Sequence, residues 1–368
     1  MAEYFRTTTQ KSLFTVSTQT GFLIFALYSS YINLTGKYEL HHIITCASIC
    51  AALFNCVSVI LPGNTFGFFM CLVSRALVGG CMALIYPTSM KVLGSWVKEP
   101  EKRREILCIL LGVLCLAVAL PHLIRYAVPF SNFRVLMIIT SSLTLFASVL
   151  AFRILRAGEY LSQRKSGSHS TSSFLWEPRF FLPTIAKCGH DWELFTFWTQ
   201  ISKYFEHISN GDFKYAAIVA FVCIAVGMLG CFLTSQVAKH VEAEHTLIVI
   251  NLCSMIFVGS LGAVHGAQES NLSVVLAILI GFFVVSDSAL YSSILIRAYS
   301  HRPSLVGDTL AAQMGISTIV AVIALYVNPL LIETFGWTTG LLVTSFGSAV
   351  SIASVCFMVL RLRNRRPS

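Results

Sequence analysis

Charge is what this sequence has least of. Of its 368 residues only 12% are Asp, Glu, Lys or Arg, against 55% hydrophobic, and the mean hydropathy is +0.74. A water-soluble chain of this size needs roughly a quarter of its residues charged to cover its surface, so a soluble enzyme is excluded. Acidic residues are scarcer than basic ones, 17 against 26, for a net charge of +9. In a soluble chain that surplus would suggest nucleic acid. Here the Lys and Arg residues stand at the ends of apolar runs, where they orient helices in a bilayer, and no nucleic-acid partner is expected. Also missing are a Gly-rich phosphate loop, a Cys or His metal set, and a Ser–His pair on a common helix face, so neither metal nor cofactor nor enzyme activity is expected. Cysteine, by contrast, is plentiful at twelve. Cys46, Cys50, Cys56, Cys71, Cys81, Cys108, Cys115, Cys223 and Cys356 fall inside apolar runs without ligand spacing, and are expected to be buried thiols that act as small hydrophobes.

What is there is a succession of uncharged runs near the ~20 residues a helix needs to cross a bilayer. They place spanning helices near 13–34, 41–61, 66–95, 104–125, 134–156, 186–208, 214–237, 246–264, 272–297, 309–334 and 338–360, about eleven in all. The fold class expected is therefore an all-α polytopic membrane protein. Alternate connections are basic: Lys98 with Lys102, Arg103 and Arg104; Arg153 with Arg156, Arg164, Lys165 and Arg179; Arg297 with Arg302; and the tail from Arg361 to Arg366. The other set, around Pro62-Gly63-Asn64, Ser209 to Asp212, Gln268-Glu269 and Glu333-Thr334, holds almost no Lys or Arg. The basic side is cytosolic by the positive-inside rule, which puts the N-terminus outside or in a lumen. The sequon Asn271-Leu272-Ser273 falls on the non-cytosolic side and is a glycosylation candidate; Asn33-Leu34-Thr35 falls on the cytosolic side and is expected to stay bare. The longest interruption is rich in Ser, Arg and Lys and has no apolar period. It divides the chain into an N-terminal half bundle over 1–156, a flexible cytosolic linker over 157–185 and a C-terminal half bundle over 186–368. Two helical halves joined by such a linker are the layout of repeat-built transporters, whose substrate sites lie near the membrane midplane.

The run Ser74-Arg75-Ala76-Leu77-Val78-Gly79-Gly80, continuing to Tyr86-Pro87, Gly94-Ser95-Trp96 and Pro100-Glu101-Lys102-Arg103-Arg104, resembles the fourth helix and following loop of major facilitator transporters. It is most similar to the branch of sialin, the vesicular glutamate transporters and the type I sodium–phosphate cotransporters. Trp192 followed by Tyr204-Phe205-Glu206 resembles that branch's seventh helix. Weaker likenesses are Gly36, Pro121 and Asn328-Pro329-Leu330. The resemblance implies a two-half helical bundle that carries a small organic or inorganic anion by alternating access, with a proton or sodium ion as coupling partner. It also implies that the family's first helix has no counterpart, leaving the bundle one span short of twelve. Met82 stands where the family's fourth helix has an acid, His190 where its seventh has an Arg, and Thr20-Gly21-Phe22 where some members carry a His; the loop after the second helix is reduced to Gly36-Lys37-Tyr38-Glu39. A degenerate relative that binds or assembles in the membrane without transporting is the alternative these departures leave open.

Four residues then carry the candidate chemistry. Arg75, several residues inside an apolar run, is expected to face a cavity or a partner, where its planar fork can clamp a carboxylate; a structural pair with a neighbouring helix is the other reading. Asp287 reads as the only carboxylate deep in an apolar span, either a proton carrier or an interhelical contact among serines. His190, at the expected mouth of the helix after the linker, is a pH-sensitive substrate-binding candidate or a solvated cap. Tyr86, a further substrate-binding candidate, precedes Pro87, which is expected either to loosen the helix facing the cavity or simply to kink it. His122 and Arg125 are expected to snorkel to the interface, and Gly79-Gly80 to permit close helix approach. The membrane expected to house the chain is the plasma membrane or that of an acidic organelle.

Overall fold

The computed structural model describes residues 8–32, 34–127, 133–160, 172–265 and 270–363, and among them it is helical with no strand. The helices are α1 (Thr8–Tyr31), α2 (Leu34–Lys37), α3 (Leu40–Ile60), α4 (Thr65–Gly94), α5 (Pro100–Ala127), α6 (Phe133–Ile154), α7 (Pro178–Ile208), α8 (Phe213–Ala225), α9 (Gly227–Val237), α10 (Ala243–His265), α11 (Ser270–Ser286), α12 (Ser288–Ala298) and α13 (Pro303–Arg363). Eight stretches among the described residues are long and apolar enough to cross a membrane. The last, Asp308–Arg361, covers two expected spans, because α13 is broken at Gly336, whose φ of 85° is open to glycine and closed to most other residues. The 24-residue α1 and the 31-residue α7 are long enough but more polar, and with them the described helices make the eleven passes expected.

Local chemistry explains the turns. Asn64 caps α4 by accepting from the Gly67 N–H at 2.8 Å, and Asp212 caps α8 by accepting from the Lys214 and Tyr215 N–H groups at 3.0 Å each. Between α7 and α8 the chain reverses through Asn210 and Gly211, both at positive φ. The α7 helix begins at Pro178, eight residues before the span predicted from hydropathy, so the latter part of the expected linker is ordered. A proline suits the first helical position, and Phe180 then buries itself against Phe174, Leu295 and Tyr299. Nearby, Glu177 pairs with Arg302 at 3.1 Å and accepts from the Tyr299 hydroxyl at 3.1 Å. Burial first, then the Glu177 carboxylate, keeps that hydroxyl protonated well above a phenol's ordinary range. Residues 161–171, with Arg164, Lys165 and Ser168, and Asn33 lie outside the described residues.

The chain forms two compact units, one of Met1–Ile106 with Ala127–Gly167 and one of Leu107–Tyr126 with Ser168–Ser368. In the first, α4 packs on α1 and α3, and α3 on α6. A side chain at Gly79 would run into the Thr18 carbonyl of α1, and one at Gly21 into the Ala76 carbonyl of α4, so the two backbones are in direct contact. Gly94-Ser95-Trp96 ties the end of α4 to the chain after α6: the Gly158 N–H donates to Ser95 Oγ at 2.8 Å and Trp96 Nε1 to the Arg156 carbonyl at 3.0 Å. In the second unit α7 and α10 both pack on α13, and Gly189 meets the Gly347 carbonyl.

Two expectations about packing need correction. Cys46 and Cys50 are exposed, whereas Cys71, Cys81, Cys108, Cys115 and Cys223 are buried as expected. Along α3 the exposed positions Cys46, Ile49, Cys50 and Leu53 form one helical stripe, away from the buried Ile43, Ala47 and Ala51. A stripe so apolar faces lipid in a membrane, where a thiol is as acceptable as a methyl group. Arg125 does not simply snorkel. It pairs with Glu206 of α7 at 3.3 Å and lies over the Phe213 ring at 5.9 Å.

Candidate functional site

Arg75 projects from α4 toward polar side chains of α3 in the first unit. Its Nη2 donates to Asn55 Oδ1 of α3 and, at 3.3 Å, to Ser58 Oγ. Asn55 is itself fixed, donating from Nδ2 to Ser141 Oγ at 2.8 Å, Thr140 Oγ1 at 3.1 Å and the Met137 carbonyl at 3.2 Å, all on α6. One amide thus links three helices and aims its oxygen at the guanidinium. Every one of these partners is neutral. Among the described residues Arg75 has no carboxylate within ion-pair distance, and Nε and Nη1 make no hydrogen bond. A half-buried cation without a counter-ion costs several kcal/mol in a spanning segment, which its hydrogen bonds to α3 offset in part. Tyr86 lies eleven residues further along α4, three turns, so it shares the face of Arg75 about 16 Å away. The α4 helix runs unbroken past Pro87.

In the second unit the structure brings together two residues the sequence kept apart. His190 Nδ1 lies 2.9 Å from Asp287 Oδ1, both side chains 2% exposed. The imidazole's Nε2 meets Ser288 Oγ at 2.9 Å. Asp287 Oδ2 accepts from the Tyr291 hydroxyl and from Asn251 Nδ2, both at 2.8 Å, and Tyr291 also meets Ser351 Oγ at 2.9 Å. His190 is therefore no solvated cap at a helix mouth: with α7 starting at Pro178 it lies well inside the helix. Asp287 is the residue at which the pass over α11 and α12 breaks, and the Leu290 N–H closes a tight 2.8 Å turn on its carbonyl.

Nor is Asp287 the only buried carboxylate. Glu193, one turn beyond His190 on α7, is 2% exposed and accepts from Ser254 Oγ at 2.7 Å and from Ser348 Oγ. Asp191 is buried against Lys187, and Glu244 against Arg297. In the sequence Asp191 and Glu193 read as polar residues near the start of the helix expected at 186, and the actual start at Pro178 is what puts them well inside it, although a His-Asp-x-Glu cluster beside Trp192 is a visible signal. Below them, Thr196, Gln200, Tyr204, Asn328, Trp337 and Thr344 line a cavity in which the Gln200 amide, Thr196 Oγ1 and Asn328 Oδ1 have no hydrogen-bond partner. The motif residues Trp192 and Tyr204 have packing roles, Trp192 Nε1 donating to the Val343 carbonyl at 3.2 Å and the Tyr204 hydroxyl meeting Ser273 Oγ at 3.2 Å. Asn271 is exposed in the first turn of α11.

No curated protein matches the chain. The model of the Major Facilitator Superfamily matches residues 1–307, well over half of the sequence. With its membrane-length helices, the chain is an integral membrane protein and belongs to the major facilitator superfamily of membrane transporters.

Proposed function

We propose that this transporter moves a small organic or inorganic anion by alternating access, with half bundles over 1–156 and 186–368 joined by the linker at 157–185. The observation that carries the reading is Arg75, a half-buried guanidinium whose partners Asn55 and Ser58 are neutral. An anion arriving there supplies the missing counter-charge and accepts from the unused Nε and Nη1 donors through two parallel hydrogen bonds. Tyr86, too far along α4 to touch the same small ion, serves the route on that face. The reading also draws on the likeness of the Arg75 to Trp96 run to the sialin, vesicular glutamate and type I sodium–phosphate branch. With Met82 standing in this chain where that branch has an acid, Asp287 is the candidate proton carrier, and His190 lies 2.9 Å from its carboxylate. A carboxylate at a helix break, with backbone freed beside it, is a common construction for coupling ions in transporters. The plasma membrane or an acidic organelle membrane is the setting in which a proton gradient could drive such a cycle.

The test is uptake into proteoliposomes from a panel of labelled carboxylates and phosphate, each run with a proton gradient, with a sodium gradient and with neither. Concentrative uptake of at least one anion, with matched neutral solutes excluded, is the expected result. Binding of anions with no uptake under any gradient would instead favour a non-transporting relative.

A further inference from the structure

The turn leading into α3 gathers three side chains to which the proposed function gives no part. Glu39 is the N-cap residue of α3, in extended backbone with φ −64° and ψ 132°, yet its carboxylate makes no capping bond. It turns instead to the imidazoles of the first helical turn. Glu39 Oε2 lies 3.3 Å from His41 Nδ1 and 4.0 Å from His42 Nδ1, and the ligand atoms of all three residues lie within 4.8 Å of one another. Side chains at the cap and in the first turn fold back over a helix start, which is how residues so close in sequence converge.

The rings are held in place. Their centroids are 4.0 Å apart, and Phe152 of α6 stacks on His42 at 6.1 Å and sits 6.4 Å from His41. The His41 side chain is only 11% exposed, whereas His42 and Glu39 are 53% and 71% exposed, so the group is anchored on one side and open on the other. Two imidazoles and a carboxylate are a donor set for zinc and its neighbours in the first transition row. Metal–ligand bonds of about 2.0–2.2 Å put tetrahedral ligand atoms about 3.4 Å apart. The Glu39–His41 separation is already close to that value, and the two that involve His42 lie within 4.8 Å and are shortened by a turn of its exposed ring. No His-x-x-x-His spacing announces the group in sequence; the cap geometry creates it.

We propose that Glu39, His41 and His42 form a divalent transition-metal site of the zinc type, with three protein ligands and a fourth position left to water. The test is titration of the full-length, tag-free protein in nanodiscs with zinc against a chromophoric chelator, followed by cobalt as a spectroscopic probe. The parent is expected to bind one equivalent that the His41→Ala/His42→Ala variant lacks. His42→Ala, at an exposed position that folding tolerates, is expected to weaken binding at least tenfold, and Glu39→Gln to weaken it less. Bound cobalt should show ligand-field bands of tetrahedral nitrogen and oxygen coordination, without the thiolate charge-transfer band that binding to any of the twelve cysteines would give. Zinc stoichiometry and affinity unchanged in the double variant, or a thiolate band that persists in it, would overturn the proposal.

Discussion

At the scale of single residues, the account turns on how buried polar groups are satisfied. Asn55 makes its contribution through hydrogen bonds that reach α4 and α6 at once. Asn55→Ala should therefore cost about 1–3 kcal/mol of stability, read as a lowered melting temperature in detergent, and should also loosen Arg75 and weaken anion affinity. Arg125→Ala should cost less than about 1 kcal/mol, because Arg125 and Glu206 are 32% and 40% exposed. Asp287→Asn keeps the shape and most hydrogen bonds of the carboxyl but mimics its permanently protonated form. It should abolish proton-driven accumulation while sparing exchange of substrate across the membrane, and full accumulation by this variant would remove Asp287 from the coupling step. Arg75 and Asp287 were visible in the sequence because a charge inside an apolar run stands out. Asn55 and Glu193 were not, since an amide in an apolar helix and an acid near the expected start of a helix attract no notice until the neighbouring helices are placed.

At the scale of elements, the sequence announces where helices stop and says little about where they bend. Pro62-Gly63-Asn64, Ser209 to Asp212 and the Glu333-Thr334 region were legible as turns, and Asn64, Asp212 and Gly336 show why: two side chains cap the next helix and one glycine takes a backbone conformation others avoid. The breaks at Val226 and Asp287 interrupt passes whose hydropathy is continuous, so no compositional signal marks them. The ordered start of α7 was hidden in the same way, because Pro178 and Phe180 sit next to a Ser-rich stretch that averages out their signal. Close helix contact at Gly79 was legible from the glycine pair itself. Gly79→Val should force α1 away from α4, at a cost of about 1–3 kcal/mol or more, seen as loss of folded protein on size-exclusion chromatography. Gly259→Ala is the matched control, since a methyl group there meets nothing.

At the scale of the whole molecule, the number of passes and the superfamily were readable because bilayer thickness and the Arg75 to Trp96 run both leave their mark on sequence. The proposed orientation rests on charge alone. Asn271 should be glycosylated in a eukaryotic host and protease added from the cytosolic side should cut the linker near Ser168; modification of a sequon engineered into that linker would invert the topology. The measurement that reaches the central claim most directly is concentration-dependent anion uptake by Arg75→Lys beside the parent protein in proteoliposomes. Lysine keeps the charge and loses the planar fork. The account predicts folded protein whose apparent anion affinity falls at least tenfold, and uptake by Arg75→Lys with unchanged affinity and rate would contradict it.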